Sequence, residues 1–343
     1  VTATLPLASW TDLLISRSRA LADGWTDEEI RARLAGRHWT ALRRGQYCST
    51  AELEASTAGR RLHLELLALL RRLHRPETVA SGRTAALLHG LLVPDEGAPV
   101  LQLTDPHRWR DGRGYRIHRA ELPPAEVTAL GPFPVTTVAR TLVDCARRWP
   151  VLDAVAALDD ALLRGLVTAD GLEAVLVREP TIKGLPAARR AVALSDGRAE
   201  SWLETAWRVR HTGARLPAPQ LQVEIRVAGS LLKVVDGYLP EQAIAIECDG
   251  RVKMTDPYRG RAPSTVLWEE KRAEDAVRAL GIRVIRLASS DVHRDWAQTA
   301  HRIATMVAAP VPVLLPFETH PRTVGRVRPG TQRWAAYRGD EPP

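Results

Sequence analysis

The chain has 343 residues, 45% of them hydrophobic and 26% charged, with a formal net charge of +8 at pH 7. That length exceeds one ordinary core, so two or three domains are expected, and the composition is ordinary for a soluble globular protein. No run of 18 apolar residues occurs and residues 1–10 have no basic cluster ahead of an apolar stretch, which argues against a membrane span and a secretory signal. Cys48, Cys145 and Cys248 are far apart and odd in number, so neither a disulfide framework nor a zinc site is expected, and a reduced, cytoplasmic setting fits. The positive charge points to a polyanionic partner, because neutralised phosphates release condensed counterions.

Residues 1–50 form the first expected domain. Apolar spacing suits a helix over residues 10–22, and Thr26-Asp27-Glu28-Glu29 reads as a capping box opening a second helix. Residues 36–39 read as a turn and residues 39–48 as a short element ending on a hairpin-like strand. Two short helices, a tight turn and a basic ribbon are the outline of a small winged helix-turn-helix. Residues 51–190 form an α+β middle domain: helices over 62–73 and 83–91 with Ser81 as the cap, strands over 100–103 and 115–118, then helices over 138–147, 151–163 and 169–177. Residues 195–309 read as helix 199–211, strands 221–227, 231–236 and 243–248, helix 268–280, strand 282–287 and helix 296–307. From Pro310 to Pro343 the chain is rich in Pro, Arg and Gly and is expected to be a disordered basic tail.

The chemistry-bearing segment is Val234-Val235-Asp236-Gly237-Tyr238, followed by Ile244-Ala245-Ile246-Glu247-Cys248-Asp249-Gly250. Residues two apart on a strand share a face, so Glu247 and Asp249 are placed to point the same way. Asp236 is expected to close the preceding strand and to lie beside Glu247. Grouped carboxylates are the hard oxygen ligands that Mg²⁺ or Mn²⁺ takes. Asp249-Gly250 is also an ordinary turn pair, but Glu247 interrupts an apolar run in which an unpaired carboxylate is costly.

Residues 200–287 resemble the nuclease-like domain related to very-short-patch-repair endonucleases, within the PD-(D/E)XK superfamily. The resemblance rests on Glu200-Ser201-x-x-Glu204, Asp236, Glu247-x-Asp249-Gly250, Glu270-Lys271-Arg272-x-Glu274-Asp275 and residues 281–287. It implies an α/β restriction-endonuclease-like domain with a central mixed sheet and metal-dependent cutting of phosphodiester bonds. Asp236 and Glu247 would hold the metal, with Glu200 adding a carboxylate from the first helix. The superfamily pattern is E-x-K, and Asp249 stands at the lysine position, so it would only support the shell. Lys253, four residues on, is the candidate to assist the water, or else a solvated loop lysine, while Lys271 is expected to point away from the apolar helix face.

Gly24-Trp25 through Leu42-Arg43-Arg44-Gly45-Gln46-Tyr47 resembles the winged-helix start of AbiEi-type antitoxin proteins. Residues 81–91 and 134–144 match the region that follows in that family. The resemblance implies an autorepressor that binds DNA and has a protein partner of toxin–antitoxin type. Arg37, His38, Arg43 and Arg44 are the candidate phosphate contacts, or else an ordinary solvated basic turn. His89, His211 and His293 lack ligand spacing and are expected at surfaces or helix ends. Ser201 has no His/Asp arrangement around it, so nucleophilic hydrolysis has no support. The whole reads as an α+β multidomain DNA-binding protein with a metal-dependent endonuclease domain. The alternative is a non-enzymatic, antitoxin-like regulator that keeps an inactive nuclease fold.

Overall fold

The computed structural model describes residues 13–94, 100–178, 182–249 and 263–322. The chain is α+β and divides into two compact units, residues 1–90 with 96–141, and residues 91–95 with 142–343.

In the first unit, β1 (Ile15–Ser16) pairs with a later strand, so α1 (Arg17–Ala22) starts at Arg17, with Ser16 as its cap, later than the residue 10 expected. α2 (Asp27–Ala35) opens on the expected capping box: Thr26 accepts from the Glu29 N–H at 3.2 Å, and Glu29 accepts from the Thr26 N–H at 2.8 Å. The chain turns at Arg37, φ 55°, into the hairpin of β2 (Trp39–Arg43) and β3 (Gln46–Ser49). The three strands form an antiparallel sheet of order β1-β3-β2. Ala20, Ile30 and Tyr47 are its small core, with Trp25 and Trp39 packed against them.

α3 (Thr50–Glu54) and α4 (Ala58–Leu73) follow, and Leu62, Leu66, Leu67 and Leu69 of α4 enter the main core of this unit. That core also takes Leu101, Leu103, Ile117 and Val135. Those residues come from a six-stranded sheet built with one helix, α5 (Gly82–Leu88). Its strands are β4 (Val79–Ala80), β5 (Leu101–Asp105), β6 (Arg110–Gly112), β7 (Tyr115–Arg119), β8 (Val127–Leu130) and β9 (Phe133–Thr136), in the order β6-β7-β5-β4-β9-β8. Ser81 stands at the N-cap of α5 but does not cap it. Its hydroxyl accepts from Thr104, and the Gln102 side chain takes the Arg83 N–H instead.

α6 (Val138–Ala146) leads into α7 (Val151–Leu163), α8 (Ala169–Arg178), α9 (Leu185–Leu194) and α10 (Trp202–Gly213). α6, α7 and α8 were expected in a middle domain reaching residue 190, but α7, α8 and α9 belong to the second unit. The reason lies in α7, whose Asp159 carboxylate accepts from Thr205 at 2.6 Å and Arg208 at 2.7 Å, both on α10, and from the Asp196 N–H at 2.6 Å.

The second unit's sheet has β10 (Gln220–Val227), β11 (Ser230–Leu239) and β12 (Ile244–Asp249). After α11 (Pro263–Ala279) come β13 (Arg283–Ala288), α12 (Ser289–His293), α13 (Trp296–Ala308) and β14 (Glu318–Pro321). Strand order is β13-β12-β11-β10-β14; only β12 and β13 pair in parallel, so the sheet is mixed. Alternation along β12 serves two cores. Ile244, Ile246 and Cys248 pack with Trp202, Ala206 and Trp207 of α10, whereas Ala245 packs with Val277 and Leu280 at the end of α11. Glu247 shares the Ala245 side by that alternation.

Residues 310–322, expected to open a disordered tail, are instead held against the sheet. The Leu315 N–H bonds the Leu280 carbonyl, β14 pairs with β10, and the Arg322 N–H reaches Gln222 O at 2.8 Å. Residues 323–343 lie outside the described residues. Among the described residues no helix is long and apolar enough to cross a membrane.

Candidate functional site

Asp236 lies inside β11, which runs on to Leu239, and does not close the strand as expected. Gly237 pairs with Ile246, so the next step of the register sets Asp236 beside Glu247. Both line a cleft of about 340 Å³ with Lys233, Val234, Glu269, Ala273, Glu274 and Arg286. Glu247 is buried, and the Lys233 Nζ stands 2.5 Å from its Oε1, with the two side chains 15% and 8% exposed. A buried carboxylate on an apolar strand needs such a partner to offset its lost hydration. Lys233 was visible in the sequence as one of four lysines, but spacing alone does not bring it to Glu247.

The other expected carboxylates are arranged differently. Ser201 accepts from the Glu204 N–H and starts α10 at Trp202, so Glu200 lies ahead of the helix instead of on it. The Glu200 carboxylate is bound by Arg322 at 2.8 Å, and Arg322 also donates to Gln222 Oε1 at 2.8 Å. The acid that α10 sets against the sheet is Glu204. It accepts from the Glu200 N–H at 2.9 Å and from Gln222 Nε2 at 3.0 Å, and the same Nε2 lies 3.2 Å from Asp236 Oδ1. Burial, reinforced by the nearby charge of Asp236, pushes the Glu204 carboxyl up to about 8. Gln222 adopts φ 50°, which sends Leu221 and Val223 to opposite cores and turns the Gln222 amide toward both acids. Asp236 Oδ2 also accepts from the Cys248 N–H at 2.7 Å.

Asp249 ends β12 but does not line the cleft; its carboxylate accepts from Arg286 at 2.5 Å. Arg286 also reaches Glu274 at 3.0 Å, and the bond to Asp249 raises its pKa. Burial raises the Glu274 carboxyl, but the Arg278 hydrogen bond and the charges of Arg286, Arg278 and Lys233 outweigh it and hold it below the usual range. Lys271 is exposed, as expected, and Lys253 lies outside the described residues. Asp236 and Glu247 thus supply two hard oxygen donors in one cleft, which fits the donor chemistry of Mg²⁺. No group of three or more metal-binding side chains is assembled among the described residues, so further positions would fall to water and backbone oxygens.

In the first unit, Arg37 and His38 are exposed at the α2–β2 junction. Arg43 is half-buried and donates to its own neighbour, the Leu42 carbonyl, at 2.8 Å, while Arg44 is exposed at the hairpin tip. His211 lies in the last turn of α10, a helix end as expected, but is fully buried; it donates through Nε2 to the Pro217 carbonyl at 2.8 Å, and burial lowers its pKa. His89 Nε2 bonds the Thr136 carbonyl and His293 stacks on Trp202 with ring centres 4.5 Å apart. All three cysteines are buried free thiols.

No family model matches the chain. It is 28% identical over 227 residues to the uncharacterized protein MT2308 of Mycobacterium tuberculosis (strain CDC 1551 / Oshkosh), covering 66% of this chain and 80% of that protein. The same figures hold for the uncharacterized protein Rv2248 of Mycobacterium tuberculosis (strain ATCC 25618 / H37Rv). Among solved structures, the RV2827C protein from Mycobacterium tuberculosis aligns at a TM-score of 0.41 and 17% identity, over 55% of this chain and 74% of that one.

Proposed function

We propose that this is a DNA-binding protein whose second unit is a metal-dependent endonuclease domain of restriction-endonuclease-like fold. The observation that carries the reading is the meeting of Asp236, Glu247 and Lys233 in one cleft, two carboxylates and a lysine on neighbouring strands. Asp249 occupies the place where the superfamily pattern has a lysine, and Lys233 brings an ammonium to Glu247 from the neighbouring strand. Asp236 and Glu247 would hold Mg²⁺ or Mn²⁺, which when bound lowers the pKa of a water and offsets charge on a phosphodiester. Gln222 and the Cys248 N–H fix the Asp236 carboxylate, so its orientation is set before any ligand arrives. Lys233 would leave Glu247 and turn its ammonium to the scissile phosphate. In the first unit, the three-stranded sheet with α1 and α2 supports the winged-helix reading, and its arginines would take the DNA backbone.

The test is cleavage of plasmid and short duplex DNA with Mg²⁺ or Mn²⁺, comparing the wild type with Asp236→Asn and Glu247→Gln. Both variants are expected to lose cutting by at least about a hundredfold, some 2.7 kcal/mol of barrier, while binding duplex DNA as the wild type does. Unreduced cutting by both overturns the site.

A second reading, a non-enzymatic antitoxin-like regulator, is favoured by the arginines that already hold Glu200 and Asp249. It predicts no cutting on any substrate, with salt-sensitive DNA binding intact.

A further inference from the structure

The first unit holds a second feature, separate from the turn at Arg37 and His38. An open groove of about 1020 Å³ runs between α1, the β2–β3 turn and the C-terminal end of α4. Every charged side chain that lines it is basic: Arg17, Arg19, Arg44, Arg71 and Arg72, with His74 beside them. Arg17 and Arg19 have acidic partners, Asp27 at 2.5 Å and Asp23 at 3.7 Å. Among the described residues, the Arg44 and Arg72 side chains form no hydrogen bond or ion pair, and both residues are exposed. Arg71 is half-buried and donates to the Leu14 carbonyl at 3.1 Å.

Arginines at a helix C-terminus are often explained by the helix dipole. That accounts for Arg71 and Arg72 on α4 and for Arg19 in the last turn of α1, but not for Arg17 and Arg44, which the start of α1 and the β2–β3 turn bring to the same groove. Crowding of like charge is a cost to the folded unit. Burial lowers the Arg71 pKa and the Arg19 charge lowers it further. A polyanion lying in the groove would relieve that repulsion.

We propose that this groove seats the phosphodiester backbone of duplex DNA, through Arg44, Arg71 and Arg72 with Arg17 and Arg19 flanking. The proposal rests on the DNA-binding reading above; of its expected contacts it keeps Arg44 and moves the rest from Arg37, His38 and Arg43 to the groove. Duplex is favoured over single strands because, among the described residues, no Trp, Phe or Tyr ring is exposed along the groove as a platform for bases. Tyr47 is buried and stacked on Trp39 with ring centres 6.0 Å apart, and His74 is the one exposed ring in the lining. A membrane surface is disfavoured by the lack of exposed large apolar side chains along the lining, where Leu14 is buried.

The experiment uses the full chain and a fluorescent duplex of about 30 base pairs, a length that covers a single bound module. Anisotropy titrations over a range of KCl compare the wild type, Arg44→Glu/Arg72→Glu and Arg37→Glu/His38→Glu, all first checked for wild-type circular dichroism. The groove variant is expected to lose at least about tenfold in affinity and to lower the salt slope by about 2, at roughly 0.9 for each phosphate contact removed. The Arg37/His38 variant is expected to lose clearly less affinity than the groove variant and to change the salt slope less. Wild-type affinity and slope in the groove variant, with loss in the Arg37/His38 variant, overturn the groove while the DNA-binding reading stands. A wild-type chain that binds no duplex overturns both. Preference for single-stranded DNA, or for vesicles of phosphatidylserine and phosphatidylcholine over duplex, also overturns the proposal.

Discussion

Lys233 and Glu247 hold each other across the strand pair where neither is well hydrated. Removing the ammonium takes from a buried carboxylate the cation it touches, leaving only the more distant charge of Arg286. Lys233→Met is therefore expected to destabilise the chain by about 1–3 kcal/mol, the cost of a buried group left without its partner. Lys233→Arg is expected to recover most of that. Urea unfolding measures both, and a Met variant as stable as the wild type would show that the pair contributes nothing. Asp159 is the parallel case on α7, and its environment titrates. Burial pushes its carboxyl up to about 6, against the opposing pull of Arg208, Thr205 and the Asp196 N–H. A raised pKa means that between the unfolded value of 3.8 and about 6 the native state binds the extra proton, so stability falls as pH rises through that window. Asp159→Asn cannot titrate, and its stability is expected to stay flatter than the wild type's over that range. Parallel pH profiles for the two proteins would refute the assignment. Little of this is legible in sequence: Glu247 stands out because it breaks an apolar run, whereas Asp159 and Glu204 sit in helices whose burial is decided by elements far along the chain.

At the scale of elements, signals carried by neighbouring residues were readable and those carried by distant ones were not. The Thr26–Glu29 capping box is a four-residue pattern and forms as expected. Ser81 carries the same kind of signal, yet its hydroxyl is taken by Thr104 and its capping role by Gln102, from a strand about twenty residues on. β14 had no apolar period at all, because Glu318–Pro321 is exposed throughout and is held by backbone pairing to β10. Gly237 marks a close approach of sheet and helix. A Cβ there would lie 2.3 Å from the Trp207 ring, and Trp207 is fully buried. Gly237→Ala is thus expected to cost about 1–3 kcal/mol, the range for overpacking a filled core. A paired Trp207→Leu change should recover part of that loss if the clash is its source. Thermal melts of the single and double variants decide this, and an unchanged melt for Gly237→Ala would place the ring elsewhere.

For the molecule as a whole, composition predicted several domains and a polyanionic partner, but not where the chain divides. Helices α7 and α8 read like their predecessors, and it is the bonds of Asp159 to Arg208, Thr205 and the Asp196 N–H, with Ala156 packed among Trp202, Ala206 and Trp207, that tie α7 to the second unit. The carboxylate cleft lies wholly in that unit and the arginine groove wholly in the first, so the proposed binding and cutting chemistries draw on different residues. Arginine–phosphate contacts need no metal, whereas cutting at Asp236 and Glu247 would need one. Chelation with EDTA is therefore expected to abolish plasmid cutting while the same sample still retards duplex DNA at low salt. Raising KCl is expected to release the DNA whether or not Mg²⁺ is present, because that dependence comes from counterions displaced at phosphates. Band shifts and nicking assays on one set of samples provide the measurement. If EDTA removes binding and cutting together, the metal cleft itself holds the DNA, and the division of labour between the two units is wrong.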